Sequence, residues 1–539
     1  MKAKRWIALL IALAMMLSIT ACSSSTDDTS DDDSTSTTEE STEDTTEAEE
    51  ETDDDSTEAE ATSTKTDLIV GWTYSVEDFE PAFSNNAIGF ALVYETLFDL
   101  NPVTGELEGR LVESYEWIDD THLQLTLKEG ITFSNGDALT PSDVLWSFQY
   151  YIDAGSNLAT YFDNYDFDNC EIIDDYTFIL AYYEPYGPAL NYLTIMRIQN
   201  QSYYEEYGED AYWDSPCGTG PYEVVENISG SHTSYQLRDD YWDTENIPEA
   251  ETITVKSYSD ASTMYIDFEN GALDVAWGLT ASDAERAAET DGEGYTLVTQ
   301  SELDVKMFCL NYSKEEYQSD EVRQAIAIGV DWAAVGETAY GYLYREATST
   351  LPEGCNYKID TDGYEYDLDA ALELLEEAGY SDGFTIDLVI VQNDTNQSMA
   401  ESIQYYLGLL GITLNIESYE MATAIPMFMA GETEALIKTA NGGAYCLEPD
   451  QIYDTMKASS TNTSIATADE IFDSYLMDGL TTVDEAEREE NYVAAQEWLY
   501  ESCWAIPICE DDVAYVQVDG VTIHTINMMY PDLRYTELG

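Results

Sequence analysis

The body of this chain reads as α/β, helices alternating with parallel strands, and three stretches carry that reading. From Asp367 to Tyr419 the pattern runs helix, strand, helix, strand. From Thr121 to Tyr151 a half-buried strand leads through a turn into a capped helix. Before Asp67 the sequence is acidic and of low complexity, and after it regular apolar periodicity begins.

THLQLTLK, Thr121 to Lys128, alternates apolar and polar residues, the period of two of a half-buried strand. Beyond a short strand and the turn Ser134 to Asp137, Thr140 is placed to cap a helix with Pro141 at its first position and Asp143 in its first turn. Val144, Leu145, Phe148 and Tyr151 then share one face. Asp367 starts a helix striped by Leu368, Ala371, Leu372 and Leu375, and Gly379 ends it, because glycine adopts the left-handed terminating conformation cheaply. FTIDLVIV, Phe384 to Val391, reads as a buried strand. A helix from about Gln397 to Leu410 and the strand ITLNIESY, Ile412 to Tyr419, follow it. Strand, helix and strand in that order form a βαβ unit with parallel strands. Ligands of open parallel sheets bind beyond the carboxyl ends of the strands. That places Gln392, Asn393, Glu420, Met421 and, after the strand EALIKTAN, Asn441, Gly442 and Gly443 at a cleft.

At the N-terminus Lys2, Lys4 and Arg5 precede the apolar run Trp6 to Leu17, the profile of a secretory signal peptide. The run is shorter than the roughly 20 residues that span a bilayer. Ile19, Thr20, Ala21 and Cys22 resemble the lipobox of bacterial lipoproteins. The resemblance implies that residues 1–21 are removed and that a diacylglycerol on Cys22 anchors the protein to the outer face of the cytoplasmic membrane, in an extracellular or periplasmic setting. Ordinary secretion with cleavage near Ala21 is the alternative. Residues 22–66, almost all Asp, Glu, Ser and Thr, cannot form a core and read as a disordered acidic tether.

The whole chain carries 109 acidic against 19 basic residues, a formal charge of −90. Nucleic acid and anionic lipid headgroups need a positive surface, so neither is expected as a partner. His122, His232 and His524 lie far apart and no cysteine pair has C-x-x-C spacing, so no metal site and no cofactor are expected. Seven cysteines besides Cys22, an odd and scattered set, do not form a disulfide framework. An enzyme is not expected either, since the histidines are scattered and no G-x-S-x-G occurs.

Several stretches in order resemble the extracytoplasmic solute-binding proteins of the peptide and nickel class of ABC importers, family 5. They are YETLFDL at Tyr94; LVESYEWIDDTHLQLTLKEGITFSNGDALTPSDVLWSF, Leu111 to Phe148; CGTGPYEV at Cys217; DDYWD at Asp239; FCLNYSKEEYQSDEVRQAIAIGVD at Phe308; and LDAALELLEEAGYSDGF at Leu368. The resemblance implies a bilobal fold like the periplasmic binding proteins of type II, the Venus-flytrap arrangement, with an extra inserted subdomain. Lobe I would comprise 67–97, 211–300 and 506–539, the inserted subdomain 98–210, and lobe II 301–505. Crossings near Ser301 to Lys306 and Trp504 to Ile508 would form the hinge. It further implies a monomer that captures an oligopeptide, dipeptide or other small solute between the lobes and delivers it to an ABC permease. The ligand-binding positions carried over are Tyr74, Ser75, Val76, Trp277, Gly278, Met421, Asn441, Gly442, Gly443 and Tyr445. Peptide-binding relatives hold the ligand's α-amine with an aspartate in a "GWCADYNEP"-like segment. Here TANGGAYCLEPDQ puts Tyr445 at that place, or Ala444 if the alignment slips by one, and neither is acidic, which leaves Glu448 as a substitute anchor or an oligosaccharide or other non-peptide solute as the ligand. A solute sensor without transport is a further reading. Basic residues are so few that Arg345 and Lys438 are candidates near the cleft, whereas Arg323, in the VRQAIA helix, reads as structural.

Overall fold

The computed structural model describes residues 65–83, 86–101, 106–312, 314–442, 447–454, 456–457, 470–526 and 530–539. The signal peptide, Cys22 and the tether up to residue 64 lie outside the described residues. Among the described residues no helix is long and apolar enough to cross a membrane.

One eleven-stranded sheet runs through two lobes. In the first, strand Asp67–Trp72 lies parallel to Thr252–Ser257 and Val275–Trp277, and the hairpin Tyr222–Ile228 with His232–Leu237 extends the edge antiparallel. In the second, Thr385–Val391 lies between Thr413–Tyr419 and Ala435–Asn441, parallel to both. Two long strands, Tyr295–Leu310 and Ala505–Val518, pair antiparallel and carry the sheet from one lobe to the other. The first of them pairs with Ala435–Asn441, the second with Val275–Trp277. Their register breaks between Ser301 and Val305, where Leu303 adopts a left-handed φ of 54°.

Each lobe has its own core. One gathers Leu68, Tyr94, Phe148, Tyr235, Trp277, Tyr515 and Leu533; the other gathers Phe308, Ile326, Ile390, Leu407, Tyr453, Leu499 and Ile506. A four-stranded sheet of Val112–Asp119, His122–Leu127, Thr177–Ala181 and Glu171–Ile172 packs Leu123, Leu125 and Phe178 into the first core.

The local signals explain the elements. Asp143 accepts hydrogen bonds from the Thr140 backbone N–H (2.9 Å) and hydroxyl (2.6 Å) at the start of helix Pro141–Ala154, and Gly155 at φ 74° ends it. Such caps contribute about 1 kcal/mol each. Val144, Phe148 and Tyr151 of its apolar face are buried, and Leu145 is half-buried. Asp367 caps Leu368–Glu377 by accepting from Ala370 N–H at 3.0 Å. On that helix Leu372 turns outward, 41% exposed, while Leu374 packs beside buried Ala371 and Leu375, because the helix meets the second core along that edge. The βαβ helix spans Asp394–Leu409, starting three residues before Gln397. Asn393 accepts from Asn396 N–H at 2.7 Å and sets the earlier start.

Candidate ligand-binding site between the lobes

The carboxyl ends of the parallel strands bring the candidate residues together in two groups. Strand pairing places Trp72 beside Trp277, so Tyr74, Ser75 and Val76 emerge next to Trp277 and Gly278. Tyr74 packs on Trp72 with ring centres 4.9 Å apart, and the Ser75 hydroxyl accepts from Gly230 N–H at 2.7 Å. Val76 is buried. Trp277 is only 3% exposed and stacks on Tyr515 at 4.3 Å, inside the first core. Gly278 has φ 85°, a conformation that favours glycine.

The second group lies in the other lobe. Asn441 ends its strand opposite Asp304, and buried Gly442 donates its N–H to Leu303 carbonyl at 2.7 Å. A Cβ on Gly442 would lie 2.5 Å from Cys355 Sγ. Met421, 64% exposed, starts a helix beyond the strand Thr413–Tyr419, two strands away from Asn441. Gly443 and Tyr445 lie outside the described residues. Along the second crossing strand, Glu510, level with Val305, and Tyr515, level with Trp277, are five residues apart, so roughly 17 Å of extended chain separates the groups.

The lobes also touch directly. Tyr192 of the first core donates its phenol to both oxygens of buried Asp450, at 2.8 and 2.7 Å. Gly187 N–H donates to Leu480 carbonyl at 2.9 Å. Only glycine permits that approach, since a Cβ there would lie 2.4 Å from Arg488 Nε and 2.6 Å from Thr482 carbonyl. Leu100, Leu303 and Leu447 close a small apolar contact nearby. Glu448 is fully buried and committed: Arg488 donates to one oxygen and Asn356 Nδ2 to the other at 3.0 Å. Burial pushes its carboxyl up to about 7 against the pull of Arg488. Glu448 is therefore a structural ion-pair partner and is not free to anchor an amine.

At the crossing, Lys306 donates to Asp304 and Asp511 at 2.5 Å each, over the ring of Tyr340. Glu302 joins them: three carboxylates offer oxygens within 4.8 Å of one another. The Lys306 ammonium lies between Asp304 and Asp511 and neutralises part of that charge. Burial, and then Asp511, push Glu302 up to about 7.

The basic residues sort themselves. Arg323 donates to the carbonyls of Ser502 and Tyr317 and lies over Trp504, a structural role. Arg345 pairs with Asp512 at 2.7 Å, and Lys438 donates to Ile452 carbonyl at 3.0 Å. Arg197 stands apart, and the sequence reading passed over it. It is only 7% exposed, five residues after Tyr192 and between buried Met196 and Ile198. Among the described residues its side chain has neither a hydrogen bond nor an ion pair, whereas every other lysine and arginine has one. Asp99, the acid that acts on it most, is taken by Arg534 at 3.0 Å and the Thr96 hydroxyl at 2.7 Å. Burial pulls the Arg197 guanidinium below its usual pKa, and Asp99 only partly opposes this.

Two cores, joined by two crossing strands and meeting again at Tyr192 and Asp450, define a two-lobed binding protein with candidate ligand positions on both lobes. Comparison with known sequences agrees. The family model described as "Bacterial extracellular solute-binding proteins, family 5 Middle" matches residues 106–464, and the chain belongs to that family. It is 26% identical over 450 residues to heme-binding protein A of Haemophilus influenzae, covering 77% of this chain and 81% of that one. It is 24% identical over 472 residues to the glutathione-binding protein GsiB of Shigella boydii, covering 85% and 91%. The structure of the periplasmic binding protein DppA from Helicobacter pylori in complex with the peptide STSA superposes with a TM-score of 0.70 at 21% identity, covering 88% and 98%.

Proposed function

We propose that this family 5 binding protein captures short peptides between its lobes and delivers them to an ABC permease, held at the membrane by lipidated Cys22. The observation that carries the capture reading is the double connection of the lobes, covalent through the crossing strands and non-covalent through Tyr192 and Asp450. A solute that bridges both lobes favours the closed form by its differential affinity for it. Peptides are the preferred class because the relatives include a glutathione-binding protein and a structure with a bound peptide.

In this reading the lobes divide as 67–97, 211–300 and 506–539 against 301–505, with 98–210 inserted. Tyr74, Ser75, Val76, Trp277, Gly278, Met421, Asn441, Gly442, Gly443 and Tyr445 surround the solute. A second reading, an oligosaccharide or other non-peptide solute, is favoured by the tyrosine at position 445 and the commitment of Glu448 to Arg488.

Native mass spectrometry of protein purified gently from cells grown in peptide-rich medium separates the two. Co-purifying masses that fragment as peptides support the first reading, and masses with hexose spacing reject it. Deletion of the gene is expected to abolish uptake of the same solutes; unchanged uptake would make the protein a sensor.

A further inference from the structure

A small cavity beside the second crossing strand points to a ligand other than the solute between the lobes. It has a volume of about 210 Å³ and is lined chiefly by Trp332, Tyr344, Tyr364, Tyr366, Asp331 and Glu346, with Pro507 of the strand Ala505–Val518 in its wall. Trp332 belongs to the second core, and Tyr344 and Tyr364 pack against it. None of the described candidate solute positions borders the cavity. Pockets for drug-sized ligands run to about 300–1,000 Å³, so this one admits a smaller molecule.

Its chemistry selects a sign of charge. The lining holds two carboxylates and no lysine, arginine or histidine. Glu346 is exposed and has neither a hydrogen bond nor an ion pair among the described residues. Asp331 accepts the Ala334 N–H at 3.0 Å through one oxygen, capping helix Trp332–Tyr340, and its other oxygen has no hydrogen bond among the described residues. Arg345, next to Glu346 in the chain, is taken by Asp512 at 2.7 Å.

The aromatic walls select in the same direction. Ring faces attract cations, most strongly where water is excluded. Elsewhere the protein uses that attraction internally, with Arg110 over Trp242, Lys306 over Tyr340 and Arg323 over Trp504. Among the described residues no basic side chain lies over any of the four rings of this cavity. Two of the rings are fixed in advance: Trp332 donates its indole N–H to Ala327 carbonyl at 2.8 Å, and Tyr364 donates its hydroxyl to Tyr500 carbonyl at 2.7 Å. A ligand therefore orders little side chain on entering. An anion would meet two carboxylates, and a hard metal ion needs an oxygen shell that rings do not supply.

We propose that this cavity is a second ligand site that takes a compact organic cation of the alkylammonium class. Glu346 and Asp331 balance its charge, and its methyl or methylene groups lie against the aromatic walls.

The test is calorimetric titration of the purified full chain with choline, tetramethylammonium, the uncharged isostere in which carbon replaces the choline nitrogen, and potassium chloride. Both ammonium compounds are expected to bind, and the isostere at least about tenfold more weakly, the scale of a desolvated cation–π contact. Glu346→Gln and Tyr366→Leu are each expected to weaken choline several-fold with the melting temperature unchanged, since both side chains are exposed. No binding of either ammonium compound, isostere binding as tight as choline, or choline binding that both variants leave intact overturns the proposal. Potassium that displaces choline at equal concentration overturns it too, by reducing the effect to the general pull of an acidic surface. The comparison of choline with its isostere in the unmutated protein stands even if a variant fails to fold, and it stands whatever solute the lobes capture.

Discussion

Two buried charge clusters in this protein are built on opposite balances. At the crossing strands, Asp304 and Asp511 hold a single lysine, Lys306, with Glu302 beside the two acids, and acid is in surplus. Below the C-terminal hairpin, Arg534 is matched by Asp99 and Asp532, and Arg197 beside them is the surplus base. An acid surplus has an internal remedy, because a carboxyl can take up a proton near neutral pH. A guanidinium has none, since it stays charged at any ordinary pH. A surplus arginine therefore keeps its charge in the fold, whereas a surplus carboxylate need not. The difference teaches which cluster can neutralise itself and which keeps its charge in the fold.

The sharpest way to break this contrast is to remove each cation. Lys306→Met strands the buried carboxylates of Asp304 and Asp511, with half-buried Glu302 beside them, and is expected to lower stability by about 3–5 kcal/mol at pH 8 in urea unfolding, with a smaller loss at pH 5. Tyr192→Phe takes from Asp450 its neutral donor and is expected to cost about 1–3 kcal/mol in the same assay. It should also widen the lobes in small-angle scattering of the unliganded protein. Arg197→Gln is expected to change stability by less than about 1 kcal/mol or to raise it, since an unpaired buried charge is removed. A loss as large as that of Lys306→Met would erase the contrast. The smallest effect concerns protons. Glu302 is pushed up to about 7 in the fold, above its ordinary range, so the folded state holds a proton that the unfolded chain releases. Its contribution is present at pH 4.5 and lost as pH rises through about 7. The melting temperature of Glu302→Gln should therefore fall less steeply between pH 5 and 8 than that of the unmodified protein.

What the sequence made legible was local. Thr140, Asp367 and the βαβ run declare themselves through caps and periodicity within a dozen residues, and the structure places them there. The start at Asp394 was missed because Asn393, at the end of a strand, also serves as a cap. The clusters were not legible. Lys306 and Asp511 are separated by 205 positions and meet only because two strands cross together, and the bulge at Ser301 breaks the alternation that would have revealed the first of them. Arg197 escaped for a related reason: its distinguishing property is the absence of a partner, and that exists only once every other basic side chain has been placed. A scarce arginine inside the apolar run IMRIQ was the only hint on offer.

The two cores differ in how the chain assembles them. The second is completed by one uninterrupted run, residues 305 to 509, while the first joins residues 68 to 277 with residues 513 to 533. The first lobe must therefore close a loop around a whole lobe before its sheet gains Val275–Trp277 beside Ala505–Val518. Long-range closure slows folding more than local pairing does. Pulse-labelled hydrogen exchange during refolding is expected to protect Thr385–Val391 before Asp67–Trp72. During synthesis, the strands nearest the N-terminus would be the first made and the last to be locked in place.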